Sequence, residues 1–240
     1  IFFVLADGTS FVELATCQDY KRALDGDAGP NTGGMGTYSP SVYLSADDGR
    51  SIVDTIVAPT IAGLAAEEKP YRGVLYVGLM LTDEGPKVLE YNVRFGDPEC
   101  QVLMPRLAGD WLELLHAAAS GGLDRLSVRW KREAAVCVVM AAGGYPAGYA
   151  KGRVIHGIDE AEKSDEVIVF HAGTSRDAQG RTITSGGRVL GVTALGSDLG
   201  AARRTAYDAV SRIGWDDERH RSDIGKDAIE RLAALAGHEE

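Results

Sequence analysis

A strand that ends abruptly in a polar loop is the feature of this sequence that most constrains its fold. Lys87 to Tyr91 predict a buried strand, and Pro98 closes the charged segment that follows it. Because successive strand side chains point to opposite faces, Glu90 and Asn92 share one face. A carboxylate and an amide oxygen placed in this way suit a hard divalent cation such as Mg²⁺, which completes its shell with water and nucleotide phosphates. A polar strand end that faces water would use the same two residues, so the pair alone leaves both interpretations open.

The residues after this strand add charge at the same end. Arg94 and Asp97 follow within one short loop, and Glu99 comes directly after Pro98. In open α/β architectures, ligands collect beyond the carboxyl ends of strands. The density of charge therefore favours a site for phosphoryl transfer. The alternative, a surface ion pair between Arg94 and Asp97 or Glu99, would contribute only about 0–1 kcal/mol.

A glycine-rich loop is a second candidate site. Between Asp27 and Gly36 the glycines stand at positions 29, 33, 34 and 36, with Asn31 and Thr32 in mid-loop. Glycine lets the backbone come close to a ligand, and consecutive amides can bind an anion. An ordinary surface loop can carry the same glycine pattern, and the two mid-loop side chains favour a ligand.

Cationic side chains stand in glycine-rich turns of the second half. Lys151 and Arg153 lie within residues 149–153, and Arg188 lies within residues 185–189. Arginine suits bidentate recognition of phosphate, so these residues are candidates for a phosphate site. Solvated charges near turns are the alternative interpretation.

The apolar runs predict an α+β chain. Hairpins are predicted over 2–14, around Asp7-Gly8-Thr9, and over 73–91, and a polar loop is predicted over 25–40. Further strands are predicted over 134–142, 167–172 and 188–195. Helices are predicted over 46–67, 100–107, 110–120 and 197–213. Ser45 caps the first of these helices and Pro59 kinks it.

The sequence changes character after Gly121-Gly122. A charged segment follows at 129–133, and we therefore predict two domains, 1–128 and 129–240. The chain begins with Ile1 and with an apolar run typical of a strand in mid-sheet. We expect it to be part of a longer chain.

Composition excludes several classes of partner. The net charge of −10 argues against nucleic acid or an anionic membrane surface, because phosphate groups favour Lys and Arg. No apolar run is long enough for a transmembrane helix. The three cysteines show no metal-ligand spacing, which is typical of reduced thiols in the cytoplasm.

Three groups of motifs together resemble one family. Residues 25–40, residues 90–101, and residues 171–174 with 186–190 are similar to phosphoribosylamine–glycine ligase, also called glycinamide ribonucleotide synthetase. This is an ATP-grasp enzyme family of purine biosynthesis. The resemblance covers essentially the whole chain, and the Arg-Phe-Gly-Asp-Pro-Glu segment is its most specific part.

The resemblance implies a fold, a reaction and residue roles. The fold would be the second half of an ATP-grasp module, a mostly antiparallel sheet with helices, followed by a small mixed α/β C-terminal domain. ATP, glycine and 5-phosphoribosylamine would give glycinamide ribonucleotide, ADP and phosphate through a glycyl phosphate. Glu90 and Asn92 would hold Mg²⁺ or Mn²⁺, Arg94 would stabilise the transferring phosphoryl group, and Asp97 would orient substrate. The implied substrate-binding residues are Asp27, Asn31, Thr32, Gly33, Gly34, Lys151 and Arg188, the last two for the 5-phosphate.

One departure from the family pattern limits this expectation. The N-terminal domain and the first ATP-binding segment of the family are missing, so we expect the chain to be inactive alone. Two alternatives remain open: another ATP-grasp ligase or carboxylase, or a non-catalytic module that binds a metal or a phosphosugar. The expected state is a cytoplasmic monomer that binds small molecules.

Overall fold

The computed structural model describes residues 1–237 and divides into two compact units. The first comprises residues 1–17, 40–96 and 107–131, and the second comprises residues 18–39, 97–106 and the chain from 132 onward. Within residues 1–237, no helix combines the length and the apolar character needed to cross a bilayer. Each unit has its own antiparallel sheet.

The strands and helices are numbered in chain order. The strands are β1 (Phe2–Asp7), β2 (Phe11–Glu13), β3 (Gln18–Asp19), β4 (Arg22–Leu24), β5 (Ala28–Asn31), β6 (Gly36–Ser39), β7 (Arg72–Thr82), β8 (Gly85–Asn92), β9 (Ala134–Ala141), β10 (Val167–His171), β11 (Thr174–Arg176), β12 (Thr182–Thr184) and β13 (Arg188–Gly196). The helices are α1 (Ala46–Ile52), α2 (Ala58–Ala66), α3 (Cys100–Arg106), α4 (Trp111–Ser120), α5 (Ile158–Ala161), α6 (Leu199–Val210) and α7 (Lys226–Ala236).

The first unit is built on a four-stranded sheet in the order β2-β1-β7-β8. Every residue of β1 is buried, because this apolar strand pairs with β2 on one side and with β7 on the other. Phe2 and Val4 on one face of β1 pack with Ile52, Val57 and other apolar side chains from the helical segment 46–66. The predicted first hairpin is therefore confirmed, and its inner strand β1 belongs to the core, whereas β2 is the partly buried edge strand.

The helical segment after Ser45 begins as predicted. The Ser45 hydroxyl accepts from the Asp48 backbone N–H, and the Asp48 carboxylate accepts from the Ser45 N–H, which forms a capping box. Residues 53–57 form a π-helical turn, and Pro59 stands directly after it in the first turn of α2. The irregularity predicted at Pro59 is this π-helical turn, and the backbone stays helical from α1 into α2.

The second unit is built on a five-stranded sheet in the order β10-β13-β9-β6-β3. All residues of β9 are buried, as its continuous apolar run predicts. Helix α6 packs on β9 and β13, and α3 also contacts both strands. Asp198 caps α6, since its side chain accepts from the Ala201 N–H at 2.8 Å.

Two predicted features are wrong. The strand expected to be buried over Lys87 to Tyr91 is the exposed edge strand β8, with Leu89 64% exposed, because it pairs with β7 alone. The segment predicted as a polar loop over 25–40 contains β6, which is fully buried. Pairing of Gly36–Ser39 with β9 explains that burial, because it places a short polar strand inside the second sheet.

The two units also divide the chain differently from the predicted domains 1–128 and 129–240. Residues 18–39 and 97–106 belong to the second unit, because β3, β6 and α3 pack with its sheet. The predicted sequence domains stay a prediction, since spatial units and sequence domains are defined differently.

Candidate functional site

The candidate metal ligands stand at the end of β8 in the first unit. Asn92 Nδ2 donates to Glu90 Oε1 at 3.1 Å, so the two side chains lie on one face as their spacing predicts. Arg94 Nη2 donates to Asn92 Oδ1 at 3.3 Å, and its Nη1 donates to the Phe95 carbonyl at 2.9 Å. The structure thus brings a carboxylate, an amide and a guanidinium together at the end of one exposed strand.

Local backbone structure explains how Glu90 is presented. The pairing of β7 with β8 shifts register after Gly78, which faces Glu90. A side-chain Cβ at Gly78 would lie 3.1 Å from Glu90 Cγ, so the glycine leaves room for the acidic side chain. Register shifts of this kind re-aim side chains near functional sites.

The donor set at β8 fits a hard divalent ion. Within residues 1–237, no three His, Cys, Asp or Glu side chains are grouped so as to hold a metal, which excludes an all-protein site of that kind in this part of the chain. Glu90 and Asn92 each supply a side-chain oxygen, and Glu90 is exposed while Asn92 is partly buried. Mg²⁺ is commonly held by one or two protein oxygens while water and phosphates complete its octahedral shell.

A second cluster forms around Arg188 in the second unit. Its Nη1 donates to the Asp97 carbonyl at 2.6 Å and to the Gly34 carbonyl at 3.3 Å. Its Nη2 lies 3.4 Å from Asp97 Oδ2, and Gln101 donates to the other carboxylate oxygen at 3.1 Å. Arg188, Asp97 and the glycine-rich loop, which were predicted separately, therefore meet in one place.

Close packing explains the paired glycines of the loop. Gly34 has a φ of +122°, and a Cβ there would lie 2.6 Å from Pro98 Cδ. A Cβ at Gly33 would lie 2.9 Å from the Arg188 guanidinium carbon. Only glycine allows the loop to lie this close to the arginine and the proline.

Two tyrosines that sequence reasoning missed join this cluster. The Tyr145 hydroxyl accepts from the Gly33 N–H at 3.2 Å, and the Tyr145 and Tyr149 rings lie 6.3 Å apart. Lys151 Nζ lies 6.0 Å from the Tyr149 ring centroid, so the predicted lysine belongs to the same surface. The sequence contains a hint of this, because Tyr145 and Tyr149 flank a glycine-rich turn directly after the buried strand β9.

The remaining predicted loop residues have other partners. The Thr32 hydroxyl donates to the Lys21 carbonyl at 2.8 Å and accepts from the Gly34 N–H at 3.0 Å. Asn31 lies at the exposed end of β5. Asp27 accepts from Arg221 at 2.7 Å, so its carboxylate engages an arginine that sequence reasoning did not single out.

Arg221 is a fully buried charged side chain near the loop, with 1% of its side chain exposed. Burial alone would lower the pKa of Arg221, but Asp223 and Asp27 outweigh that effect and raise it. The pKa of Asp223 is lowered, because the hydrogen bonds from Arg221 and the Gly26 N–H outweigh its own desolvation. The sequence gives no sign of this arrangement, since residues 216–223 read as a polar surface segment.

Comparison with known proteins defines the class first. A sequence profile of the phosphoribosylglycinamide synthetase ATP-grasp (A) domain matches residues 1–100, and the profile of the C domain of the same enzyme matches residues 135–227. The antiparallel sheets with flanking helices agree with this assignment. The chain therefore has the ATP-grasp ligase fold, as the sequence predicts.

Individual relatives identify the family. The chain is 50% identical over 233 residues to phosphoribosylamine–glycine ligase of Mesorhizobium japonicum, covering 97% of this chain and 54% of the relative. It is 50% identical over 217 residues to the enzyme of that name from Vigna unguiculata, covering 89% of this chain and 70% of the relative. The crystal structure of phosphoribosylamine–glycine ligase from Thermotoga maritima matches with a TM-score of 0.83 and 36% identity, covering 93% of this chain and 54% of that one.

The chain belongs to the phosphoribosylamine–glycine ligase family, as its motifs predict. It spans about half the length of most of the curated relatives it matches, 54% in the case of the Mesorhizobium enzyme.

Proposed function

We propose that this protein contributes the metal-binding and ribosylamine-binding residues of a phosphoribosylamine–glycine ligase. The reaction joins glycine to 5-phosphoribosylamine at the expense of ATP and gives glycinamide ribonucleotide, ADP and phosphate. The observation that carries the proposal is the set of Glu90, Asn92 and Arg94 at the end of β8, joined by hydrogen bonds of 3.1 and 3.3 Å. These are the residue types that phosphoryl transfer from a metal-bound nucleotide requires.

The chemistry needs no protein nucleophile. A glycine carboxylate oxygen attacks the γ-phosphorus of ATP, the bond to the β-phosphate oxygen breaks, and glycyl phosphate and ADP result. The ribosylamine nitrogen then attacks the glycyl carbonyl, loses a proton and expels inorganic phosphate. Catalysis of both steps rests on positioning and on neutralising charge.

Three residues of the first unit, Glu90, Asn92 and Arg94, act in the first step of the proposed reaction. Glu90 and Asn92 would hold Mg²⁺ or Mn²⁺, and the ion supplies charge neutralisation at the nucleotide phosphates when bound. Arg94, held against Asn92, stabilises negative charge on the transferring phosphoryl group. These roles require side chains that a ligand can reach, and Glu90 and Arg94 are both exposed.

The second unit binds the ribosylamine in this proposal. Gly33 and Gly34 present backbone near Arg188, and Asp97 orients substrate from its place beside that guanidinium. Lys151 and Arg188 recognise the 5-phosphate, since both carry positive charge in one cluster. Asn31 and Thr32 contribute side-chain contacts from the same loop.

Composition and charge support the remaining parts of the proposal. The net charge of −10 fits a protein of small-molecule metabolism that does not bind nucleic acid or anionic membranes. Three cysteines without a disulfide fit a cytoplasmic protein. We propose a monomer, and light scattering after size exclusion tests that state directly.

The function is tested with a chimera in which this chain replaces the matching half of the Mesorhizobium relative. Unsubstituted chimera should release ADP only when glycine, 5-phosphoribosylamine and a divalent metal are all present. Glu90→Gln should lower this turnover about 100-fold, because it removes a charged metal ligand. Glu84→Gln is the matched control, since Glu84 lies in the exposed turn between β7 and β8 and pairs with Lys87 at 3.2 Å.

Two results would reject the proposal. Equal turnover in Glu90→Gln and Glu84→Gln would remove Glu90 from the metal site. ADP release that depends on bicarbonate and not on glycine would indicate a carboxylase-type reaction in place of the ligase.

A further inference from the structure

A buried arginine of the C-terminal segment holds the turn that leads into the glycine-rich loop. Arg221 donates from Nε and Nη2 to the two Asp223 oxygens, each at 2.7 Å. Its Nη1 donates to Asp27 Oδ1 at 2.7 Å and to the Arg22 carbonyl at 3.2 Å. Arg221 therefore donates both to Asp223 in its own segment and to Asp27 in the turn. Its side chain is 1% exposed and has little access to solvent.

The neighbours of Arg221 extend the same contact residue by residue. Ser222 donates from its N–H to Asp25 at 2.8 Å, and its hydroxyl also donates to Asp25. Asp223 accepts from the Gly26 N–H at 2.8 Å. Three consecutive residues, 221–223, therefore hold three consecutive residues of the turn, 25–27.

The turn itself adopts a conformation that needs support. Gly26 has a φ of 64° and Asp27 a φ of 52°, so two successive residues lie in the left-handed region. Aspartate tolerates this region better than most residues but still populates it rarely. The contact from Arg221 to Asp27 favours the turn conformation over alternatives, because it is made with a charged and buried donor.

Tyr20 also packs against Arg221 and joins this cluster to the rest of the second unit. The Arg221 guanidinium lies 5.0 Å from the Tyr20 ring centroid, and the Tyr20 hydroxyl donates to Asp227 and accepts from the Gly225 N–H. The Tyr20 backbone accepts from the Met35 N–H at 2.8 Å and donates to the Gly36 carbonyl at 3.0 Å. The cluster thus contacts the start and the turn of the hairpin β4–β5 and, through the Tyr20 backbone, the end of the loop that follows the hairpin.

We infer that Arg221 is a positioning residue for the glycine-rich loop 28–36, acting through Asp27 to fix the loop for binding of the phosphorylated ribosylamine. The link to that substrate rests on the function proposed above. The inference changes the role of Asp27, whose Oδ1 oxygen serves the loop and not the ligand. It also gives the segment 221–223 a part in substrate binding although none of its residues contacts the loop glycines 33 and 34 in the hydrogen bonds described.

Hydrogen exchange on the full chain tests the positioning without any substrate. In Asp27→Gly the left-handed turn remains accessible but the carboxylate is lost, so the amides of Ala28, Gly29 and Asn31 should exchange about tenfold faster. Arg221→Lys should give the same direction of change, since one ammonium nitrogen cannot reproduce the three separate guanidinium nitrogens that donate to Asp223 and Asp27. Arg204→Lys, at an exposed position of α6, is the matched control and should leave exchange unchanged.

Steady-state kinetics on the chimera test the link to substrate. Asp27→Gly should raise the KM for 5-phosphoribosylamine about tenfold and change kcat by no more than about twofold, because a loosened loop weakens binding before it affects chemistry. Asp27→Asn keeps an oxygen acceptor for Arg221 and should recover most of the lost affinity.

Three results would overturn the inference. Exchange in Asp27→Gly equal to that in Arg204→Lys would show that Arg221 does not hold the loop. Faster exchange in Asp27→Gly with an unchanged KM for 5-phosphoribosylamine would show that the loop does not affect substrate binding. A fall in kcat without a change in KM would show the same. An unsubstituted chimera without ligase activity would reject the proposed function, and the exchange experiment would still decide whether Arg221 positions the loop.

Discussion

Asp7 is a buried carboxylate at the end of β1, and only 1% of the residue is exposed. Its Oδ1 accepts from the Thr9 and Ser10 N–H groups at 3.0 and 2.7 Å, and its Oδ2 accepts from the Gly122 and Leu123 N–H groups at 3.0 and 3.1 Å. Asp7→Asn removes the charge and half of the acceptor capacity, so we expect it to destabilise the first unit by about 2 kcal/mol at pH 7. Urea unfolding followed by tryptophan fluorescence measures this, with Asp83→Asn in the exposed turn after β7 as control.

The same side chain makes stability depend on pH. Burial alone would raise the pKa of Asp7, but the backbone hydrogen bonds from Ser10, Thr9, Leu123 and Gly122 outweigh it and lower the pKa. A lowered folded-state pKa stabilises the protein above the unfolded value of about 3.9, and this contribution is lost as the pH falls further. The difference in unfolding free energy between wild type and Asp7→Asn should therefore shrink from pH 7 to pH 3. A constant difference would contradict the assignment.

At this scale the sequence predicts local partners and misses distant ones. Glu90 and Asn92 were found because strand periodicity places residues two apart on one face. The turn at Asp7 was found from Gly8 and Thr9, but its contact with Gly122 joins residues 115 apart and has no local pattern. Arg221 was missed for the same reason, since its contact with Asp27 spans 194 residues.

Among the elements, β6 shows that a glycine-rich segment can contain a buried strand. A Cβ at Gly36 would lie 2.7 Å from the Ile224 side chain and 2.8 Å from the Cys137 carbonyl. We expect Gly36→Ala to destabilise the second unit by about 1–3 kcal/mol, because the backbone carbonyl cannot move away. Gly63→Ala in the exposed part of α2 is the control, and it should stabilise by about 0.5–1 kcal/mol through helix propensity. Comparison of the two urea midpoints is the measurement, and a Gly36→Ala protein as stable as wild type would contradict the packing argument.

Element type was predictable where a strong period or a long apolar run was present. The strands β9 and β13 and the helices α4 and α6 follow from such patterns. Burial was less predictable, because it depends on the neighbours of an element. The apolar residues of β8 suggested a core strand, yet this strand is an exposed edge, whereas the short polar strand β6 is buried by pairing with β9.

For the molecule as a whole, the division into two units has a consequence for unfolding. The sequence shows a change in composition near residue 129. It does not show that residues 18–39 and 97–106 belong to the second unit, because that depends on packing between segments far apart in the chain.

Each unit contains a fully buried cysteine, Cys17 in the first and Cys137 in the second. Burial raises the pKa of Cys137 to about 12, so its thiol should react only when the second sheet opens.

These two thiols can report the stability of each unit separately. Alkylation at pH 8 across a urea series, with each cysteine quantified by peptide mass spectrometry, gives one midpoint for Cys17 and one for Cys137. Because each unit has its own sheet and core, Asp7→Asn should lower the Cys17 midpoint and leave that of Cys137 nearly unchanged. Gly36→Ala should do the reverse. If either substitution lowers both midpoints equally, the two units unfold as one cooperative body, and their separate cores do not confer separate stability.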